Sequence, residues 1–198
     1  SLSIILSINV SLELLTLIIF YFLLSTAYTL YLKILPYVDI IVLSSFFLLR
    51  IYSGGYAIEV DISHWLFIFS ILFFISMASI KRIIEIKRYN DSILIDNGRP
   101  YMKKDLNFLT VISYTFGYLS IFIFILYIFS EHPYGLYSNA NYLLPVSIFL
   151  IFWITRVFYL TSENLIQDDP IIFSIKDKMS YLIITLIVLF FYISSNFY

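Results

Sequence analysis

Seven of the chain's twelve basic residues fall within 25 of its 198 positions. They are Lys81, Arg82, Lys87, Arg88, Arg99, Lys103 and Lys104, in the stretch Lys81 to Asp105. Lys and Arg in a cluster can hold a phosphate, Arg with a planar fork of donors and Lys with a point charge. The stretch opens with Lys81, Arg82 and Glu85, spaced as the continuation of a helix. Lys81 and Glu85 share a helix face, as do Glu85 and Arg88. Asp168 and Asp169 form a second polar group ahead of Pro170. Paired carboxylates can help to bind Mg²⁺ beside a substrate phosphate. The plainer reading makes Asp169 the N-cap of a short helix, Ile171 to Asp177, with Pro in its first turn.

The elements that carry these residues are apolar. Hydrophobic residues make up 61% of the chain and charged residues 13%, with a mean hydropathy of +0.94. Soluble domains are about half apolar and about a quarter charged, so this composition defines an integral membrane protein. There is no cysteine, which excludes disulfides, thiolate nucleophiles and Cys-ligated metal sites. His64 and His132 are too few and too far apart to suggest a metal site. The 38 Phe and Tyr residues are read as lipid-facing and interfacial aromatics.

A membrane span needs about 20 apolar residues. Six such runs are expected, at 12–32, 37–58, 64–80, 106–129, 141–160 and 180–195. Residues 1–9 look like the end of a further span, so the chain is expected to be the C-terminal part of a longer protein. The six spans should be helices, because backbone groups in hydrocarbon must be satisfied internally. The connections alternate in basic residues. In order they hold one (Lys33), none, seven, none and two (Lys176 and Lys178). By the positive-inside rule Lys33–Pro36, Lys81–Asp105 and Ser162–Met179 are cytoplasmic and the C-terminus is external.

Two arginines remain within spans. Arg50 is about 20 Å into its helix, where an Arg normally faces the bundle interior. It either lines a polar cavity or serves a structural role, and Gly54 and Gly55 one turn on permit close helix contact or a kink. Arg156 is near a span end and can snorkel. Tyr28 and Asp39 stand at the level of the polar stretches. No nucleotide-binding glycine loop, nucleophile elbow or H-E-x-x-H motif is present. Asn90-Asp91 does not open an Asp-rich motif, since no acid follows Asp91 by three or seven positions.

The order of these features resembles the UbiA superfamily of membrane prenyltransferases. The residues that carry the likeness are Ala27-Tyr28-Thr29, Leu32-Lys33, Val38-Asp39-Ile40, Leu49-Arg50, Gly54 and Ser63-His64-Trp65. Ala78-Ser79-Ile80-Lys81-Arg82-Ile83-Ile84-Glu85 and Asp168-Asp169-Pro170 are similar to the branch that includes decaprenyl-phosphate phosphoribosyltransferase. The resemblance implies an all-α bundle of nine helices, of which this chain holds the last six and the end of a seventh. It implies a transferase in the plasma membrane that needs Mg²⁺, held mainly by an Asp-rich motif upstream of Ser1. The second Asp-rich motif of aromatic prenyltransferases is replaced here by Lys81, Arg82 and Glu85, which favours direct basic contact with phosphate.

The expected reaction transfers a 5-phosphoribosyl group from phosphoribosyl diphosphate to a polyprenyl phosphate. The substrate-binding set is Tyr28, Lys33, Arg50, Lys81, Arg82, Glu85, Lys87 and Arg88, with Asp168 and Asp169 as weak metal candidates. Tyr28, Arg50, Lys81, Arg82 and Glu85 should border one cavity open to the cytoplasm. Two alternatives stay open: prenyl transfer from an isoprenyl diphosphate to an aromatic acceptor, and a membrane transporter or scaffold without catalysis. The partners are lipid and a small molecule, with no nucleic acid.

Overall fold

A computed structural model of the chain describes residues 12–88, 101–135, 137–166 and 169–196. All regular structure among them is helical. In chain order the helices are α1 (Leu12–Leu30), α2 (Val38–Ala57), α3 (His64–Arg88), α4 (Leu106–Phe129), α5 (Leu144–Ser162), α6 (Pro170–Lys176) and α7 (Lys178–Asn196). All but α6 are long and apolar enough to cross a membrane. The six expected spans are thus all present, with ends within a few residues except at α3. The expected partial span at 1–9 lies outside the described residues, as do Arg99 and Asp168.

The extra length of α3 is the main departure, and it was anticipated for Lys81 to Glu85. At 25 residues the helix is about 37 Å long, more than the roughly 30 Å of a hydrocarbon core. Its last turns therefore carry charge without leaving the helix. Ser63 starts it, its hydroxyl accepting from the Leu66 backbone N–H at 3.2 Å, as an N-cap does.

The α3 helix is also the centre of the bundle. Half of its spanning window is buried, against 6% for α1. Its most intimate neighbour is α4, and a glycine explains the close approach. A Cβ at Gly117 would stand 2.8 Å from Ile154 Cδ1 and Phe158 Cζ and 2.9 Å from Ser76 Oγ. With no side chain there, Ser76 donates to the Ser113 carbonyl across the interface at 2.7 Å. Small residues and such bonds are what hold helices together where lipid offers no hydrophobic drive. Met77, Ile80 and Ile84 then pack with Ile121, Ile154, Val157 and Phe158. A second core cluster, Ile40, Ala78, Ile83, Ile86, Tyr101 and Leu109, lies at the polar end.

The connections sort to two ends. Polar contacts tie α1, α2, α3 and the residues before α4 and α6 at one of them. At the other, Asn139 and Ser194 join the turn before α5 to the end of α7. There Gly55 admits the returning chain, since a Cβ would meet the Val60 carbonyl at 2.8 Å.

Candidate functional site

The polar end is built on Arg82. Its side chain is fully buried, so each guanidinium donor needs an acceptor. Nε donates to Asp39 Oδ2 at 2.6 Å. Nη1 donates to Glu85, three residues on along α3. Nη2 has a longer contact, 3.4 Å, to the Tyr28 hydroxyl on α1. Asp39, in the first turn of α2, is as deeply buried. Its second oxygen accepts from the Tyr101 hydroxyl. Tyr101 in turn accepts from the Tyr37 backbone N–H at 2.7 Å.

Local structure places each member. Tyr37 adopts a left-handed backbone, φ 66°, which costs about 1–3 kcal/mol for such a residue and turns its N–H toward Tyr101. Its own hydroxyl donates to Asp105 Oδ1 at 3.1 Å. The rings of Tyr37 and Tyr101 meet edge to face at 5.8 Å. Burial pushes the Tyr101 hydroxyl well above its ordinary pKa, and its bond to the Asp39 carboxylate adds to the shift. It therefore stays protonated and remains a donor.

A second cluster joins α3 to the segment before α7. Lys81 Nζ pairs with Asp169 Oδ2 at 2.5 Å. Asp169 Oδ1 accepts from the Ile171 N–H at 3.0 Å, so Asp169 is the N-cap expected from the sequence, of a helix one residue earlier than expected. Lys87 Nζ donates to the carbonyls of Thr161 and Ser162, both at 2.9 Å. It thereby closes the C-terminus of α5, where a cation also meets the negative end of the helix dipole.

Glu85 bonds to Arg82, a partner that its helical spacing to Lys81 and Arg88 did not single out. The reason is burial: a sealed guanidinium demands a carboxylate far more than surface cations do. Lys33, on the 3₁₀ turn Leu32–Ile34, is half-buried, and Arg88 is exposed at the end of α3. Arg50 is on the exposed face of α2 and donates to the Tyr21 hydroxyl at 3.0 Å. Tyr21 and Tyr28 both pack on Phe46. Seven residues apart on α1, they set Arg50 about 10 Å deeper than the Arg82 contact. The structure thus brings Tyr28, Arg82 and Glu85 together, adds Lys81 beside them, and sets Arg50 apart.

Sequence reasoning missed Tyr101 as a member and gave Asp39 no partner. An acid in the first turn of a span was a signal for Asp39, since it needs a cation when buried. Tyr101 offered little beyond an aromatic residue after Pro100 in a basic stretch.

Among the described residues no three His, Asp or Glu side chains are grouped to hold a metal ion. Both oxygens of Asp169 are engaged, one by Lys81 and one by a helix cap. Asp169 is thereby committed within the protein, and Asp168 lies outside the described residues.

Fold and site together define an all-α integral membrane protein with a braced, charged end. No protein-family model matches the chain. Among curated proteins it is 33% identical over 172 residues to an uncharacterized protein, y4nM, of Sinorhizobium fredii. It is 25% identical over 148 residues to the nodulation protein NoeC of Azorhizobium caulinodans. These alignments cover 84% and 72% of the chain, but 33% and 47% of the two relatives. The chain spans a third to about half of the length of the curated relatives it matches.

Proposed function

We propose that the chain is part of a UbiA-like membrane transferase acting on a polyprenyl phosphate, with phosphoribosyl diphosphate as the donor. One observation carries this reading. The residues on which the resemblance rests are scattered from Tyr28 to Asp169, yet Tyr28, Asp39, Lys81, Arg82, Glu85 and Asp169 meet at one end of the bundle. A scaffold needs no such convergence of charge.

The geometry divides the labour. Arg82 is sealed, so it braces Glu85 and Tyr28 and does not itself take the phosphate. Lys87 is committed to the end of α5. Lys81 keeps a third of its side chain exposed and, with Lys33 and Arg88, forms the cationic surface that receives the lipid phosphate. That phosphate is already ionised, so no base is required. One of its oxygens attacks C1 of the ribosyl donor, a C–O bond forms, and the C1–O bond to diphosphate breaks with diphosphate as the leaving group. The polar end faces the cytoplasm, in keeping with its share of the basic residues, and the membrane is the plasma membrane.

The test uses the full-length protein in sealed vesicles with labelled phosphoribosyl diphosphate and polyprenyl phosphate. Labelled lipid should form in inside-out vesicles and not in right-side-out ones. Losing a charged contact to phosphate costs about 1.5–3 kcal/mol, so Lys81→Ala should weaken lipid phosphate use roughly ten- to hundredfold. Lys104→Ala should change it little. No labelled lipid from the full-length protein removes this reaction, and equal effects of the two variants reduce the site to a diffuse positive field.

A further inference from the structure

Arg50 stands on the exposed face of α2, about 18 Å along the helix from Val38 and about 10 Å from Ala57. That is about two thirds of the way along a 20-residue span, well inside both of its ends. Its partners are a tyrosine hydroxyl and two aromatic faces. Nη2 donates to Tyr21 at 3.0 Å, and the guanidinium carbon is 5.9 Å from the Tyr21 ring and 5.3 Å from the Phe47 ring. None of these carries charge, and among the described residues no carboxylate reaches Arg50.

Lipid does not suit this place. Arg inside a span is among the residues least tolerated by hydrocarbon, and it faces protein or water instead. It is too far from either helix end to reach the interface as a terminal Arg does, and Tyr21 holds one arm of its fork. The neighbouring α1 is the least covered helix of the bundle, with Phe20, Phe22 and Leu23 all more than half exposed.

We propose that α1 and α2 form a docking face for a further membrane-spanning helix, and that this helix carries an Asp or Glu within its span, level with Arg50, that pairs with it. The arms of the guanidinium not used by Tyr21 match a carboxylate. A second copy of this chain cannot supply that acid. Within the six spans the carboxylates are Glu13 and Glu85 near helix ends and Asp39, which is sealed against Arg82 and Tyr101. Residues 1–11 contain none. The occupant is a helix from outside these 198 residues, chosen by its carboxylate.

Gly54 provides the probe. It is exposed, one turn from Arg50, and a Cβ there meets nothing within 4 Å. A photo-crosslinking phenylalanine derivative replaces Gly54 in the full-length protein in its native membrane, and the adducts are mapped by mass spectrometry. The expected adduct is an apolar peptide with an internal Asp or Glu. Adducts with lipid alone, with residues of a second copy, or with an apolar peptide lacking an acid overturn the proposal. Arg50→Gln, which keeps the shape and removes the charge, should lower the yield about tenfold, as the loss of about 1.4 kcal/mol does. Arg50→Asp combined with Arg at the mapped acid should restore it. No loss with Arg50→Gln, or no recovery in the exchanged pair, also overturns the pairing.

Discussion

Two Arg–Asp pairs stand at the same end of this bundle, and they are built differently. Arg82 and Asp39 are sealed, with no exposure of either side chain. Arg156 and Asp177 keep 23% and 14%. Arg156 meets Asp177 with both arms of its fork, at 2.6 and 3.0 Å. Arg82 gives Asp39 only Nε and spends its other arms on Glu85 and Tyr28. The partly exposed pair is a clip between α5 and the start of α7, supported by the Ser180 hydroxyl and N–H on Asp177. The sealed pair is a hub, because two buried charges force every remaining donor and acceptor to find a partner. The partners come from α1, α2, α3 and Tyr101, so the hub fixes the mutual positions of four segments. Water relieves the clip of that duty.

The sharpest break of this contrast is Asp39→Ala. It leaves a buried guanidinium without its acceptor and frees the Tyr101 hydroxyl. Breaking one partner of a buried pair costs about 3–5 kcal/mol. Thermal unfolding of the detergent-solubilised protein should show a large loss, or no folded protein at all. Arg156→Met, at the clip, should cost far less. Similar losses at the two sites would mean that burial does not set the difference between them.

A finer test of the hub is Tyr101→Phe. It removes the donor to Asp39 and the acceptor for the Tyr37 N–H but keeps the ring packed on Tyr37. An unsatisfied buried group costs about 1–3 kcal/mol, so this variant should fall between Asp39→Ala and the clip variants in unfolding temperature. An unchanged unfolding temperature would show that Tyr101 merely fills space.

These pairings also mark what the chain reveals before it is folded. The spans were legible because runs of about 20 apolar residues have few other uses. The charged extension of α3 was legible because Lys81, Arg82 and Glu85 keep helical spacing after the span. The Asp169 cap was legible from Pro170. The partners of Arg82 were not. Asp39 and Tyr101 lie 43 and 19 residues from it in the chain, and only the lateral packing of α2 and α4 on α3 brings them near. That packing depends on details such as the missing side chain at Gly117, which periodicity does not express. Arg156, read as a snorkelling residue, instead finds Asp177, because the short helix α6 folds the chain back across the end of α5.

The smallest expected effect belongs to the clip, and pH resolves it. Burial works to raise the Asp177 carboxyl, but the hydrogen bonds from Arg156 and from Ser180, with the Arg156 charge, outweigh it and hold the group below the usual carboxylate range. A carboxyl depressed in the folded state stabilises the fold above its unfolded pKa, about 3.9 for Asp. That contribution is lost as pH falls through the folded value. Asp177→Asn removes the charge and leaves an amide of the same shape. At pH 7 the variant should unfold earlier, by about 1–2 kcal/mol for a partly exposed charged pair. The difference should be flat above about pH 5 and should close below about pH 4, as the parent carboxyl takes up its proton. Glu85 and Asp39 are absent from this comparison because both proteins share them. The paired design therefore isolates one carboxylate even while acid weakens the rest of the molecule. A gap between parent and variant that stays constant down to about pH 3, well into the range where Asp protonates, would show that the Asp177 charge contributes nothing and that only the shape of the clip matters.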